Sequence, residues 1–145
     1  MCLDLRGGQA AQGCVSLVSA QHRSPHVLCS LMACLASRTL VQLWECTGFV
    51  NQQWVYDPPS GAILYGNGGI PTQLCLDAGG MHGGTELQVR ECNNLPQQQW
   101  GYDSKMLTLY LRKSLTDAST CMDLFGGGVT KGTSVDVWGC SGCWK

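Results

Sequence analysis

Val41–Asp57, VQLWECTGFVNQQWVYD, returns at Leu87–Asp103 as LQVRECNNLPQQQWGYD. Cys46, Trp54, Tyr56 and Asp57 are matched by Cys92, Trp100, Tyr102 and Asp103, every pair 46 positions apart. Apolar residues alternate into each cysteine, as Val41/Leu43 and Leu87/Val89. That is the two-residue period of a strand with one face buried. A fixed period of this size marks an array of supersecondary units, so function has to be sought unit by unit.

The cysteines reveal a third copy. Cys75-Leu76-Asp77, followed by Gly79-Gly80, leads to Leu87–Arg90 and Cys92; Cys121-Met122-Asp123, followed by Gly126-Gly127, leads to Val135–Trp138 and Cys140. Cys75 and Cys121 are again 46 apart, and each glycine-rich loop predicts a hairpin. Ala62–Tyr65 and Met106–Leu111 supply a further strand per unit. Each full unit then holds about four short strands, which makes the chain all-β with no helix. The expectation is a single domain, 1–145, with repeats at 1–58, 59–104 and 105–145.

Composition excludes several functions. A net charge of −1 with 13% charged residues leaves no basic footprint for nucleic acid and no polybasic membrane patch. The longest apolar run, Val27–Ala36, is too short to insert across a bilayer. Ten cysteines, several beside strand-like runs at repeating positions, suggest a disulfide framework and a secreted, oxidising destination. No signal peptide opens the chain, which begins inside a motif at Met1-Cys2-Leu3-Asp4. Trp follows the second cysteine of a unit by 8 positions in the first two units, but after Cys140 the chain stops at Lys145. The sequence thus reads as truncated at both ends, a fragment or a gene prediction that has lost its leader.

Gln9–Arg38 shows neither strand alternation nor the glycine turn, and reads as an insertion in the first repeat carrying Cys14, Cys29 and Cys34. Two registers compete there. One matches Cys2-Leu3-Asp4 and Gly7-Gly8 to the later openings; the other places Cys29, 46 before Cys75, at the opening. The first is preferred, because the second puts Ser30-Leu31 where an Asp should stand. His22, His26, Cys29 and Cys34 have spacings zinc would accept. They lie in the anomalous stretch and compete with disulfide formation, so no metal and no cofactor is expected. Gly-x-Ser-x-Gly turns, His-Glu-x-x-His pairs and phosphate loops are absent. The repeated aspartates fall in different units, too far apart for a glycosidase carboxylate pair, so an enzyme is not expected.

These motifs closely resemble the ricin B-type lectin family. Its Q-x-W signature stands here as Gln52-Gln53-Trp54 and Gln98-Gln99-Trp100, and its Cys-x-Asp opening as Cys2-Leu3-Asp4, Cys75-Leu76-Asp77 and Cys121-Met122-Asp123. Its strand ending in an aromatic before the second cysteine stands as Gln42–Cys46 and Asp136–Cys140. The resemblance implies a β-trefoil of three four-stranded repeats. It also implies disulfides Cys75–Cys92, Cys121–Cys140 and, in the preferred register, Cys2–Cys46. Trp54 and Trp100 are implied core residues.

The implied ligand is a mono-, oligo- or polysaccharide, either a galactose-type sugar or a polysaccharide. A carboxylate accepts two sugar hydroxyl protons at once, an aromatic ring covers the C–H face, and Asn or Gln both donates and accepts. Carried over, unit one has the full set: Asp4, Gln42, Trp44, Asn51 and Gln52. Unit two has Asp77, Gln88 and Gln98, but Gln97 replaces Asn and Arg90 stands at the ring position, which predicts a weak or dead site. Unit three keeps Asp123 and Trp138 and puts Asp136 where Gln is expected. The alternatives are a trefoil serving as a protein-binding or protease-inhibitor surface, or a non-functional fragment of a secreted glycosidase. The family's members often serve as sugar-targeting modules, so a covalently attached catalytic domain is a further expected partner.

Overall fold

The structure, a computed structural model, describes residues 1–7, 39–67, 70–112 and 119–140. Within them the chain forms strands β1 (Cys2–Leu5), β2 (Thr39–Trp44), β3 (Trp54–Asp57), β4 (Ala62–Asn67), β5 (Ile70–Asp77), β6 (Thr85–Glu86), β7 (Gln88–Glu91), β8 (Trp100–Asp103), β9 (Thr108–Leu111), β10 (Thr120–Leu124) and β11 (Val135–Gly139). Short 3-10 turns at Val50–Gln52, Pro96–Gln98 and Phe125–Gly127 interrupt them. No helix among the described residues is long and apolar enough to cross a membrane.

Two antiparallel sheets result, in the orders β1-β2-β7-β5-β4-β3 and β6-β11-β10-β9-β8. The three opening strands pair in one register: Asp4 faces Gln42, Asp77 faces Gln88, and Asp123 faces Asp136. Disulfides Cys2–Cys46, Cys75–Cys92 and Cys121–Cys140 clamp the same strand pairs. The structure therefore starts unit one at Cys2. The Gln9–Arg38 insertion lies outside the described residues, as do Cys14, Cys29, Cys34, the His22/His26 spacing and Cys143.

The units meet around an approximate threefold. Val41 N–H donates to the Leu87 carbonyl (2.9 Å), Leu87 N–H to Val135 (2.8 Å), and Leu43 N–H to Thr133 (2.8 Å). Leu5, Val41, Leu76, Leu87, Val135 and Val137 are all 0% exposed there, each contributing on the order of 1.5–3 kcal/mol by leaving water. This strand-only, three-unit architecture is a β-trefoil.

The two repeated tryptophans differ in cover. Trp100 is fully buried because the β3–β4 turn sits on it: its N–H donates to Gly61 (2.7 Å), and Tyr56 Oη donates to its carbonyl (3.3 Å). Gly61 has φ +76°, and a Cβ there would come within 2.8 Å of the Trp100 carbonyl, so the turn requires glycine. Trp54 is half-buried, edge-on to Tyr65 with centroids 6.0 Å apart, and no equivalent turn covers it among the described residues. The strand expected from Met106 begins at Thr108 instead. Asp103 accepts N–H bonds from Lys105 (2.8 Å) and Met106 (3.1 Å), which hold those residues in a turn and keep its carboxyl below the usual range.

Candidate functional site

In unit one, β1 carries Asp4, β2 carries Gln42 and Trp44, and the Val50–Gln52 turn carries Asn51 and Gln52; the fold brings Asp4, Gln42, Asn51 and Gln52 together, and Trp44 lies two residues along β2 from Gln42, opposite Cys2. Gln42 Nε2 donates to Asp4 Oδ1 (3.1 Å), while Asn51 Nδ2 and Gln52 Nε2 (2.9 Å) donate to Oδ2. Gln52 also donates to the Glu45 carbonyl (2.7 Å) and accepts from Thr47 N–H (2.7 Å). Both of its amide protons are spent inside the protein, so Gln52 orients Asp4. Trp44 is half-buried beside this cluster.

Unit two repeats the clasp. Gln88 Nε2 donates to Asp77 Oδ1 (3.0 Å) and Gln98 Nε2 to Oδ2 (2.9 Å); Gln98 also donates to the Glu91 carbonyl (3.0 Å) and accepts from Asn93 N–H (2.8 Å). Here Asp77 Oδ1 takes a further N–H, from Gly79 (2.8 Å). Asp77, Gln88 and Gln98 are 0, 3 and 2% exposed, and Arg90, at the ring position, is exposed. Their polar groups face one another rather than solvent, and Asp4 and Gln42, 3 and 8% exposed, are buried to a similar degree. The equivalent of Gly79 in unit one, Arg6, donates instead to the Leu40 carbonyl (2.9 Å). Among the described residues Oδ1 of Asp4 thus takes only Gln42, and a carboxylate oxygen has a second lone pair to offer.

Unit three differs in chemistry. Asp136 is buried, directly across from Asp123, and its Oδ1 has no hydrogen-bond partner among the described residues. Burial pushes its pKa up, and the nearby charges of Asp123 and Glu86 add to the rise. Trp138 is 55% exposed and lies over the turn of unit two, where a Cβ on Gly83 would meet its ring at 3.1 Å. Among the described residues no group of three or more His, Cys, Asp or Glu could hold a metal ion.

Lys131 was not visible from the motifs. Its Nζ lies 4.3 Å from the Trp44 ring centroid and 3.5 Å from Glu45. It comes from the β10–β11 loop of unit three, and nothing in the repeat pattern signals a contact between units. The cation covers one face of the indole ring.

Residues 29–143 match the family model described as the ricin-type beta-trefoil lectin domain. That match starts after Cys2–Leu5, although the structure pairs those residues with β2 in the repeated register. Among solved structures, the chain is similar to a designed 3-fold symmetric protein, ThreeFoil, at 20% identity and a TM-score of 0.61, covering 75% of this chain and 78% of that one. It is also similar to the C-half of an earthworm R-type lectin in complex with GalNAc, at 18% identity and a TM-score of 0.54, covering 75% and 76%. The hemolytic lectin CEL-III aligns at 22% identity and a TM-score of 0.56, covering 72% of this chain and 23% of that one. At these identities the likeness is one of fold. The comparison with curated proteins finds no match.

Proposed function

The chain belongs to the ricin-type β-trefoil lectin domain family, and we propose from this that it is a non-catalytic module binding galactose-type sugars or polysaccharide through unit one. The observation that carries the reading is the gathering of Asp4, Gln42, Asn51 and Gln52 into one bonded set beside Trp44. In this reading Asp4 accepts hydroxyl protons, Asn51 adds a donor and acceptor at the rim, and Trp44 covers the C–H face. Gln42 and Gln52 hold the carboxylate in place. Asp123 and Trp138 form a poorer second site, since Asp136 adds a negative charge where an amide stands in the other units. Asp77, Gln88 and Gln98 act as an internal clasp that closes unit two.

The three disulfides support a secreted, extracellular role, with the domain serving as the sugar-targeting part of a protein such as a glycoside hydrolase. A shallow site with one ring and one carboxylate touches about a dozen ligand atoms, which limits it to roughly millimolar affinity, about −4 kcal/mol. Usable strength comes from engaging several sugars of one surface together. The test is retention on immobilised galactose or polysaccharide, eluted by free sugar and indifferent to chelators. Trp44→Ala should lose more retention than Trp138→Ala, and Arg90→Ala should change little. Retention that survives Trp44→Ala but not Trp138→Ala would move the site to unit three. Capture of a protease in place of any glycan would favour a protein-binding surface.

A further inference from the structure

Two loops cross from one unit to the next in the same way. Gly84 N–H donates to the Val137 carbonyl and Gly132 N–H to the Leu43 carbonyl, both at 2.8 Å, and each acceptor directly precedes a tryptophan, Trp138 or Trp44. The next residue of each loop closes a turn, Thr85 N–H donating to the His82 carbonyl (3.0 Å) and Thr133 N–H to the Thr130 carbonyl (3.1 Å). The two glycines share a left-handed backbone, with φ +81° and +89°. The residue before each glycine therefore comes to rest against the neighbouring unit's indole. In the loop of unit two it is Gly83, where a Cβ would meet the Trp138 ring at 3.1 Å. In the loop of unit three it is Lys131, with Nζ 4.3 Å from the Trp44 ring centroid. One loop position thus gives one ring no charge and the other an ammonium.

The ammonium is held there lightly. Its ion-pair partner among the described residues is Glu45 at 3.5 Å, and the two side chains are 45% and 68% exposed. A pair so open to solvent contributes little. Backbone bonds pin the loop, while the four-carbon stem of Lys131 turns about its own rotatable bonds. A sugar stacking on the covered face of Trp44 moves the ammonium to the ring's edge and meets it there. A neutral sugar displaces the cation–π contact and gains no charge partner in return. A sugar carrying an anionic group takes the ammonium over from Glu45 in a charge-assisted bond.

We infer that Lys131 sets the specificity of the unit-one site proposed above, on which this inference rests. The preferred ligand is an acidic hexose, its carboxylate bonded to Lys131 Nζ and its C–H face on Trp44. Trp138, with Gly83 at the matching place, has no such cation and carries no such preference.

The experiment titrates the labelled full chain with the methyl glycosides of galactose and of galacturonic acid, which differ only at C6, and follows the Trp44 indole N–H. At low salt the galacturonate should bind about three- to fivefold more tightly, the factor an exposed ion pair supplies. Lys131→Gln should remove this preference, weakening galacturonate and tightening galactose, and Lys131→Glu should reverse it. Glu45→Gln, which releases the ammonium, should widen it. Salt at about 0.5 M should narrow it, because exposed charges are then screened within a few ångströms. Arg90→Ala removes another exposed cation and should leave it unchanged. Equal binding of the two sugars at Trp44, a preference that survives Lys131→Gln, or one that is lost in Arg90→Ala overturns the inference and leaves the unit-one site standing. A Trp44 signal that moves with neither sugar removes the site and the inference together.

Discussion

Asp136→Gln should stabilise the protein at neutral pH. Asp136 is 3% exposed, its Oδ1 has no partner among the described residues, and it faces Asp123 where Asp4 faces Gln42 and Asp77 faces Gln88. A Gln at this position can donate to the opening carboxylate as Gln42 and Gln88 do, at 3.1 and 3.0 Å. Leaving a buried polar group unsatisfied costs about 1–3 kcal/mol. For a domain of this size that corresponds to a rise in Tm of roughly 3–9 °C.

The gain also has a pH signature. Burial, then the charges of Asp123 on β10 and Glu86 on β6, raise the folded-state pKa of Asp136 above its unfolded value; Arg6 is engaged with Glu86 (3.4 Å) and Ser134 (2.7 Å). A carboxyl with a raised folded pKa destabilises fully above that pKa. The cost fades as pH falls through it toward the ordinary carboxylate range. The Asp136→Gln advantage should therefore be full at about pH 7 and shrink toward about pH 4. Differential scanning calorimetry across that range measures it. An unchanged or lower Tm at pH 7, or a gain independent of pH, would refute the reasoning.

Trp100→Ala should cost on the order of 3–5 kcal/mol in urea unfolding, and Trp54→Ala distinctly less, because the β3–β4 turn seals only Trp100; equal costs would contradict that difference in cover. Lys131→Ala should leave stability within about 1 kcal/mol, since the Lys131–Glu45 pair is exposed. The same variant should strengthen sugar retention a few-fold by baring the Trp44 face, and weaker retention would instead make Lys131 a ligand contact.

The strands and their pairing were legible because the repeat is local. Cysteine, Asp and alternating apolar residues recur at fixed offsets, so Asp4, Asp77 and Asp123 could be aligned before any geometry was known. The clasp formed by Gln52 and Gln98 was harder to see. Their residue type suits a ligand contact and a structural one equally, and only the spent amide protons separate the two. Contacts between units left no trace in the repeat: Lys131 on Trp44, the Gly83 turn under Trp138 and the Gly61 turn over Trp100 each depend on how the units close around the threefold. The orphaned Asp136 oxygen lies between these cases. The substitution at the Gln position is plain in the sequence, but its burial is not.

Sugar binding by unit one should run through Asp4 and Trp44. Indole N–H resonances of the isotopically labelled protein, titrated with free galactose, measure it. The Trp44 signal should move saturably with a Kd on the order of millimolar, Asp4→Asn should abolish the movement, and the buried Trp100 signal should stay still. A Trp44 signal that does not move at saturating sugar, while the protein remains folded, would contradict it.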